Sequence, residues 1–196
     1  NGDGFEDVYI CQQGGVPNKL FVREPSGVLR DFSAESGTDW MELTRGALFA
    51  DLDNDGDQDL ALTQGWYWVI MENDGSGRYA KRVETRGKAW HYSLSAADYD
   101  LDGDLDLYIC GRNPSGEQSN QEGFLGTPIP FHDANNGGPN TLLRNDGAWT
   151  FTDVTLDAGL DVNNRRYSYA SAWEDFDNDG DQDLYVANDF GRNCLY

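Results

Sequence analysis

Short apolar runs separated by polar positions follow one another along the whole chain. In DLALT, DLYIC and DLYVA, apolar side chains fall at alternate positions, the pattern of a strand with one side on a core. No stretch longer than about ten residues keeps a helical period. The pattern predicts an all-β protein of many short strands, with at most a helical turn in DFSAESG and in LDAGLD.

These runs recur in a fixed order that defines a repeated unit. A run rich in small residues (RGALFA, YSLSAA, YASAWE) precedes an acidic loop, an alternating strand, a second apolar piece, a turn and a further strand. Three or four short antiparallel strands in about 45 to 50 residues are typical of a propeller blade. Because blades narrow toward the axis, we expect the first strand to be innermost, with small side chains at Gly46, Ala50, Ser95, Ala97, Ala170 and Ala172.

The repeats predict a single partial β-propeller domain over residues 1–196. Its units are approximately 1–45, 46–92, 93–169 and 170–196. The third unit is longer by roughly 25 to 30 residues, which we place in a surface insert over 111–139, rich in Gly, Asn and Pro. About three and a half blades indicate part of a larger or oligomeric propeller, since a closed one needs about four. A β-solenoid is the alternative fold, although its repeats are usually shorter.

Each alternating strand is preceded by a loop in which Asp occupies every odd position from one to nine. Gly stands at position six and allows a turn with positive φ, so that the acids point inward. The three complete loops consist of Asp51, Asp53, Asp55, Asp57 and Asp59; Asp98, Asp100, Asp102, Asp104 and Asp106; and Asp175, Asp177, Asp179, Asp181 and Asp183. A truncated fourth loop keeps Asn1, Asp3, Phe5 and Asp7 at positions three, five, seven and nine.

Carboxylates that converge in so small a loop repel one another unless they share a cation. A hard divalent ion with six to eight oxygen ligands resolves the conflict, and Ca²⁺ suits a flexible, oxygen-rich loop better than Mg²⁺. The loops contain neither His nor Cys, which argues against zinc. We expect the ligands of this ion to be the carboxylates of positions one, three, five and nine and the backbone carbonyl of position seven. A solvated acidic turn is the alternative, disfavoured by three copies in register.

The loops are not EF-hands. An EF-hand needs Glu at position twelve, between two helices, whereas position twelve here is Leu62, Ile109 or Val186, inside an apolar β-like run. The ninth-position Asp opens that strand, so the metal would join a loop to a strand. We therefore predict an architectural role and expect chelation to lower the melting temperature substantially.

Charge narrows the range of partners. The net charge is −21, from 35 acidic and 14 basic residues, which argues against binding nucleic acid or an anionic membrane surface. The sequence contains no run of about 18 apolar residues, the length that would indicate membrane insertion. Cys11, Cys110 and Cys194 show no CxxC spacing; we expect buried strand residues, with one disulfide possible.

The loops and the surrounding pattern G…F.D.D.DGD.DL.V resemble the FG-GAP/VCBS repeats of integrin-α-like β-propellers over essentially the whole chain. Three segments are further similar to bacterial secreted proteins that carry ASPIC/UnbV-type modules, related to cartilage acidic protein. They are FHDANNGGPNTLLRNDGAWTFTDVTLDAGL, SAWEDFDNDGDQDLYVANDFGRNCLY and PNKLFVREPSGVLRDFSAESG. The resemblance implies about seven blades, calcium on rim loops, and an extracellular, secreted or cell-surface location.

Signals for catalysis are weak. His91 lies in a lead-in strand and is expected to be partly buried, while His132 stands beside Asp133 without a nucleophile motif. The aromatic run Trp66–Val69 is either a sugar platform or, more typically, a strand packed between blades. The sequence predicts a non-enzymatic calcium-binding module for adhesion or for protein or carbohydrate binding. Its expected partners are calcium and another protein, a glycan or further copies of itself.

Two alternatives from other functional classes stay open. Open blade edges pair readily with other strands, which suits a self-assembling subunit of an extracellular filament or surface layer. A propeller-based hydrolase or lyase would place its site in the insert, near His132.

Overall fold

The computed structural model describes residues 1–114 and 128–196, which form four antiparallel sheets and one very short helix. The predicted all-β class is thereby confirmed. The first sheet contains β1 (Val8–Ile10), β2 (Lys19–Arg23) and β3 (Leu29–Asp31), and the second contains β4 (Gly46–Ala50), β5 (Asp59–Gln64), β6 (Tyr67–Asn73) and β7 (Tyr79–Arg86). The third contains β8 (Ala89–Ala97), β9 (Asp106–Pro114), β10 (Thr141–Asn145) and β11 (Phe151–Asp153), and the fourth contains β12 (Ser168–Glu174), β13 (Asp183–Asn188) and β14 (Cys194–Leu195).

Strand order within every sheet follows the chain. Each strand pairs antiparallel with its neighbour in sequence, as in β4-β5-β6-β7 and β8-β9-β10-β11. The acidic loops connect β4 to β5, β8 to β9 and β12 to β13. Every complete loop therefore lies at the same end of its sheet, between the small-residue strand and the strand that follows it.

The small-residue strands lie against one another where consecutive sheets meet. A Cβ added to Gly46 on β4 would lie 3.1 Å from both Leu94 and the Cα of Ser93 on β8. On the other side of β8, the Ser95 hydroxyl is 2.8 Å from that of Ser171 on β12. Larger side chains would force these strands apart, which explains the small residues at the contacts. Of the alanines on these strands, Ala50 and Ala97 are buried, whereas Ala170 and Ala172 are exposed.

Apolar side chains from neighbouring sheets form the core. One cluster joins the second and third sheets and contains Ile70 and Leu107, and another joins the third and fourth sheets and contains Leu142 and Leu184. All four side chains are almost completely buried. Burial of apolar surface at these junctions is the main stabilising term for such an arrangement.

The insert was predicted over 111–139, but its predicted start lies too early in the chain. Residues 111–114 belong to β9, because the long strand β8 continues to supply pairing partners, with Trp90 opposite Asn113 and Ala89 opposite Pro114. The polar letters GRNP concealed this extension. Residues 115–127 lie outside the described residues. At the other end of the insert, Gly138 N–H donates to the Arg112 carbonyl at 2.8 Å, so that part packs on β9 instead of forming a free surface loop.

The aromatic run is a strand, as the more typical of the two interpretations predicted. β6 begins at Tyr67, and both Trp68 and Val69 are buried. The Trp68 ring packs edge-on against Phe151 at 6.0 Å. Trp66 lies in the preceding turn, where its ring contacts Trp90 at 5.2 Å. Trp68 and Val69 therefore pack inside the fold, whereas Tyr67 on the same strand is 40% exposed.

Of the two predicted helical turns, one forms a helix. DFSAESG contains α1 (Ser33–Ser36), which ends at Gly37 with φ 76°. LDAGLD forms a single hydrogen-bonded turn, in which Ala158 N–H donates to the Val154 carbonyl and Leu160 N–H to the Thr155 carbonyl, both at 2.9 Å. No described helix combines the length and the hydropathy that a membrane crossing requires.

The three cysteines differ in their surroundings. Cys110 is buried on β9, Cys194 is half-buried on β14, and Cys11 is half-buried just after the end of β1. All three are free thiols, so the disulfide considered from the sequence is not formed. The expectation that all are buried strand residues holds for Cys110 alone.

Candidate metal centre

The three complete acidic loops share one backbone conformation. The sixth-position glycines, Gly56, Gly103 and Gly180, have φ between 95° and 101°, a region that glycine enters without strain. Each donates its N–H to the first-position carboxylate at 3.0 to 3.1 Å. The fourth-position residues are also left-handed, with φ near 60°: Asn54, Leu101 and Asn178. These turns fold the loop back on its first aspartate.

The ninth-position aspartates are the most deeply buried members of the second and third sheets' loops. Asp59 and Asp106 are both 0% exposed. Asp59 Oδ2 accepts the N–H of Leu52, at position two, at 3.0 Å, and its Oδ1 accepts the N–H of Asn73 at 2.9 Å. Asp106 accepts the corresponding bonds from Tyr99 at 3.1 Å and from Asn145 at 2.8 Å. Each carboxylate thus ties its loop to the end of the third strand.

Three carboxylates converge in every complete loop. Oxygens from positions one, three and nine lie within 4.8 Å of one another, close enough to bind a single cation. The three groups are Asp51, Asp53 and Asp59; Asp98, Asp100 and Asp106; and Asp175, Asp177 and Asp183.

The fifth and seventh positions are arranged differently from these triads. The fifth-position carboxylate accepts the N–H of position seven in each loop, for example Asp55 from Asp57 at 3.1 Å and Asp102 from Asp104 at 2.9 Å. Asp179 accepts from Asp181 in the same way, at 3.2 Å. The structure therefore brings together three of the four expected carboxylates, and the fourth stabilises the turn.

The loop at 1–7 keeps part of this geometry. Asp7 Oδ1 accepts the N–H of Arg23, the last residue of β2, at 2.9 Å, which matches the bonds that Asp59 and Asp106 receive from the ends of β6 and β10. Asp3 accepts the N–H of Phe5 at 2.9 Å, and Asn1 Oδ1 accepts that of Asp3 at 3.2 Å. Among the described residues, this loop is not one of the three-carboxylate clusters.

Burial and mutual repulsion weaken the acidity of several loop carboxyls. Burial raises the pKa of Asp59 and of Asp106 to about 6 in each case. Burial and the neighbouring Asp55 also raise the pKa of Asp53. In the third loop, the charge of Asp179 is the main cause that raises the pKa of Asp177. A cation at the triads would oppose all of these shifts, because it stabilises the ionised carboxylates.

Two carboxylate oxygens in the first complete loop are buried without a hydrogen-bond partner. They are Asp51 Oδ1 and Asp57 Oδ1. A buried carboxylate oxygen that lacks a donor is unfavourable unless a cation compensates it. The donor set consists of oxygen atoms alone, which is what Ca²⁺ prefers and what zinc disfavours. The residues present therefore fit a calcium ion.

Sequence reasoning missed two residues of these sites. They are Asn73 and Asn145, the last residues of the third strands β6 and β10. Both are buried, at 3% and 2% exposure. Besides their bonds to the ninth-position carboxylates, each accepts a turn N–H on its side-chain oxygen, from Gly77 at 3.0 Å and from Gly147 at 3.1 Å. The Asn-Asp-Gly that begins at Asn73 and again at Asn145 is the sequence signal that could have identified them.

The two histidines lie in different environments. His91 is 1% exposed, so it is buried more completely than expected, and its burial lowers the pKa to about 4. His132 is exposed. Its neighbour Asp133 accepts a hydrogen bond from Arg166 at 2.5 Å, and this interaction lowers the pKa of Asp133. Asp133 is thus paired with an arginine.

Comparison with known proteins agrees with the repeated architecture. Residues 1–62 and 63–109 each match the family model described as FG-GAP-like repeat, and the two matches together cover more than half of the chain. No curated protein sequence matches the chain. With its all-β sheets and its acidic loops in register, the chain belongs to the family of FG-GAP-like repeat proteins, which implies a β-propeller-like module.

Proposed function

We propose that this chain is a calcium-stabilised binding module of the extracellular space, with one structural Ca²⁺ in each of its three complete acidic loops. The supporting observation is the threefold recurrence of a carboxylate triad from positions one, three and nine. Oxygen-only sites of this charge are selective for Ca²⁺ over softer cations.

The protein's contribution is to position the triads. The sixth-position glycine and the fifth-position Asp fix the turn. In the loops of the second and third sheets, N–H groups hold the ninth-position Asp from both sides, as Leu52 and Asn73 hold Asp59. A bound calcium ion would neutralise the converging carboxylates. Because Asp59 and Asp106 are also the first residues of β5 and β9, the ion would hold each loop against the strand that follows it.

Isothermal titration calorimetry tests this proposal directly. We expect three Ca²⁺ per chain, weaker binding of Mg²⁺ and no competition from zinc. A triple variant with Asn at the third position of each loop (Asp53→Asn, Asp100→Asn and Asp177→Asn) removes one ligand from each triad and leaves the ninth position intact. Absence of calcium binding by the wild-type chain at millimolar calcium would contradict the proposal.

An extracellular location agrees with such sites, because calcium outside cells is abundant enough to fill loops of modest affinity. The proposed partners are another protein, a glycan or further copies of the chain, and we propose no enzymatic activity. The support is that the clustered carboxylates belong to the acidic loops, while Asp133 beside His132 is paired with Arg166. Turnover of a glycoside or ester substrate that His132→Ala abolishes would contradict this part of the proposal.

A second candidate is self-assembly, and one observation favours it. Tyr185 is 46% exposed on β13, whereas Tyr108, which has the same place in β9, is fully buried against the fourth sheet. Leu195 on β14 is also exposed. This apolar face of the fourth sheet suits packing against a further sheet, including one from another copy. Light scattering with and without calcium tests this: growth in particle mass that Tyr185→Lys abolishes would support assembly, and a constant monomer mass would contradict it.

A further inference from the structure

Two of the acidic loops are joined by hydrogen bonds through one buried side chain. Asn145, the last residue of β10, is 2% exposed. Its Nδ2 donates to the carbonyl of Leu52 at 2.8 Å, in the loop that starts at Asp51. The same nitrogen donates to the carbonyl of Leu105 at 3.3 Å, in the loop that starts at Asp98. A single amide group therefore contacts both loops.

The path continues from Asn145 to the ninth-position carboxylate of each loop. The backbone N–H of Asn145 donates to Asp106 Oδ1 at 2.8 Å. On the other side, Leu52, whose carbonyl Asn145 contacts, donates its own N–H to Asp59 Oδ2 at 3.0 Å. An unbroken series of bonds thus links Asp59 to Asp106, and each of these four residues is at most 3% exposed.

A second bond joins the same two loops at the surface. Asn54 Nδ2, at position four of the first loop, donates to Asp104 Oδ1, at position seven of the second, at 2.6 Å. The residue at position four of the second loop is Leu101, whose side chain is exposed and has no donor to offer the loop that starts at Asp175. The first two loops therefore share a type of contact that the sequence does not allow between the second and the third.

We infer that the loops starting at Asp51 and Asp98 bind calcium cooperatively and that Asn145 is the positioning residue that couples them. This inference rests on the calcium binding proposed above. Filling one loop fixes its ninth-position carboxylate, and the bonded path then fixes the backbone around the other, so the second loop loses less conformational freedom on binding. The coupling is positive and raises the affinity of the second loop by about five-fold or more.

Asn73 provides a matched control for Asn145. It is the last residue of β6, it is 3% exposed, and its backbone N–H donates to Asp59 Oδ1 at 2.9 Å. Its Nδ2 donates to the carbonyl of Gln58 at 3.0 Å, within its own repeat. Replacement by Ala removes a buried amide of the same kind at either residue, but the change at Asn145 alone removes the bond between the loops.

A calcium titration followed by NMR can observe each loop separately. The probes are the backbone amides of Gly56, Gly103 and Gly180, because each N–H is hydrogen-bonded to the first-position carboxylate of its own loop. The second loop is inactivated by Asp98→Asn together with Asp100→Asn. In the otherwise wild-type chain, we expect this inactivation to raise the calcium midpoint at Gly56 about five-fold or more and to leave the midpoint at Gly180 unchanged.

The variants decide whether Asn145 carries the coupling. With Asn145→Ala, the same inactivation is expected to change the Gly56 midpoint less than about two-fold, and with Asn73→Ala the full effect is expected to persist. Should Asn145→Ala fail to fold, Asn54→Gly, which keeps the positive φ of 61°, tests the surface bond, and a reduced effect of the inactivation is expected. An equal effect with and without Asn145, or none in the wild type, would overturn the inference. No calcium-dependent shift at any of the three glycines would overturn the proposed function itself.

Discussion

The ring of Tyr108 meets the indole of Trp173 edge-on across the junction between the third and fourth sheets. Their centroids are 6.1 Å apart and the planes are inclined at 89°. Tyr9 and Phe49 make the equivalent contact between the first and second sheets, at 6.3 Å and 83°. In both pairs, one ring belongs to the residue that stands two places after a ninth-position Asp. The other ring belongs to the residue that stands two places before the first-position Asp of the next loop.

The junction between the second and third sheets has small residues at the same two places. They are Ala61 and Ala96, which belong to one apolar cluster. The two facing residues of a junction are thus either both aromatic or both alanine. The size of the side chain from one sheet therefore matches the size of its partner from the next sheet. One large and one small residue would leave a cavity or an overlap.

We expect the two rings of a junction to be energetically coupled. In a double-mutant cycle, Tyr108→Leu and Trp173→Leu should show a coupling free energy of about 1 kcal/mol, beyond the loss of buried area. Urea unfolding of the single and double variants measures it. Combining Trp173→Leu with Tyr9→Leu, which lies in another junction, serves as the control and should be additive. A coupling of zero in the first cycle would show that the edge-on contact contributes only through area.

Removal of a third-position carboxylate should have opposite effects with and without calcium. Burial and Asp55 raise the pKa of Asp53, so the charge of Asp53 is unfavourable in the empty loop, and Asp53→Asn should raise the melting temperature slightly in EDTA. In excess calcium, the variant lacks a ligand and should melt lower than the wild type. Differential scanning calorimetry in the two buffers measures both effects.

Asp74→Asn is the control for this reversal. Asp74 is an acid outside the loops whose pKa is lowered by hydrogen bonds, chiefly from Ser76. Its ionised form is therefore stabilised, and the variant should melt lower in both buffers. If Asp53→Asn also melted lower in both, then Asp53 would be stabilised by the fold itself, and its assignment as a metal ligand would lose its support.

Buried His91 should contribute a loss of stability in mild acid. Its pKa is lowered from 6.5 to about 4, so between these values the unfolded chain binds a proton that the folded chain does not. Neutral His91 contributes its full stabilisation above pH 6.5. As the pH falls toward 4, about 3 kcal/mol of this contribution to the unfolding free energy is lost. Asp59 and Asp106, whose pKa is raised to about 6, act in the opposite direction in both proteins, so the test is the difference between the two. Urea unfolding in EDTA should show that the unfolding free energy of His91→Gln rises relative to that of the wild type as the pH falls from 6.5 to 4.

His132→Gln is the matched control for that measurement. His132 is exposed, and we expect the variant to follow the wild-type pH dependence. The same pH dependence for His91→Gln and the wild type would contradict the burial of His91.

Gly111 should tolerate no side chain. A Cβ there would lie 2.0 Å from the carbonyl oxygen of Pro139, where the end of the insert packs on β9. Gly111→Ala should cost about 3 kcal/mol of unfolding free energy, because backbone must shift to make room. Gly14→Ala, whose Cβ would meet Leu43 at an ordinary 3.6 Å, should be close to neutral. Similar stabilities for the two variants would show that the segment at Pro139 moves away freely.

The sequence predicted the features that depend on local pattern. Alternation of apolar residues predicted the strands, and the spacing of Asp and Gly predicted the loop conformation, including the left-handed glycine at Gly56. Both follow from the geometry of a few consecutive residues. The resemblance to FG-GAP repeats was recognisable from the same spacing, and the family match over residues 1–62 and 63–109 confirms it.

Features that depend on distant partners were not predictable in this way. The polar end of β9 is a strand because β8 is long enough to pair with it, as Ala89 does with Pro114, and no local pattern records the length of a neighbour. Asn145 has the letters of a turn residue, yet it is buried because its amide reaches Leu52 in another repeat. His91 is buried because its ring fills the space left by Gly87.

The melting temperature with calcium and with EDTA decides whether the three aspartate triads are structural calcium sites. With calcium at about 100 times the dissociation constant, each site should add about 2.7 kcal/mol, and three sites together should raise the melting temperature by on the order of 20 °C for a chain of this size. We expect scanning calorimetry to show this rise and EDTA to reverse it. Identical melting curves in calcium and in EDTA would contradict the assignment of the three aspartate triads as structural calcium sites.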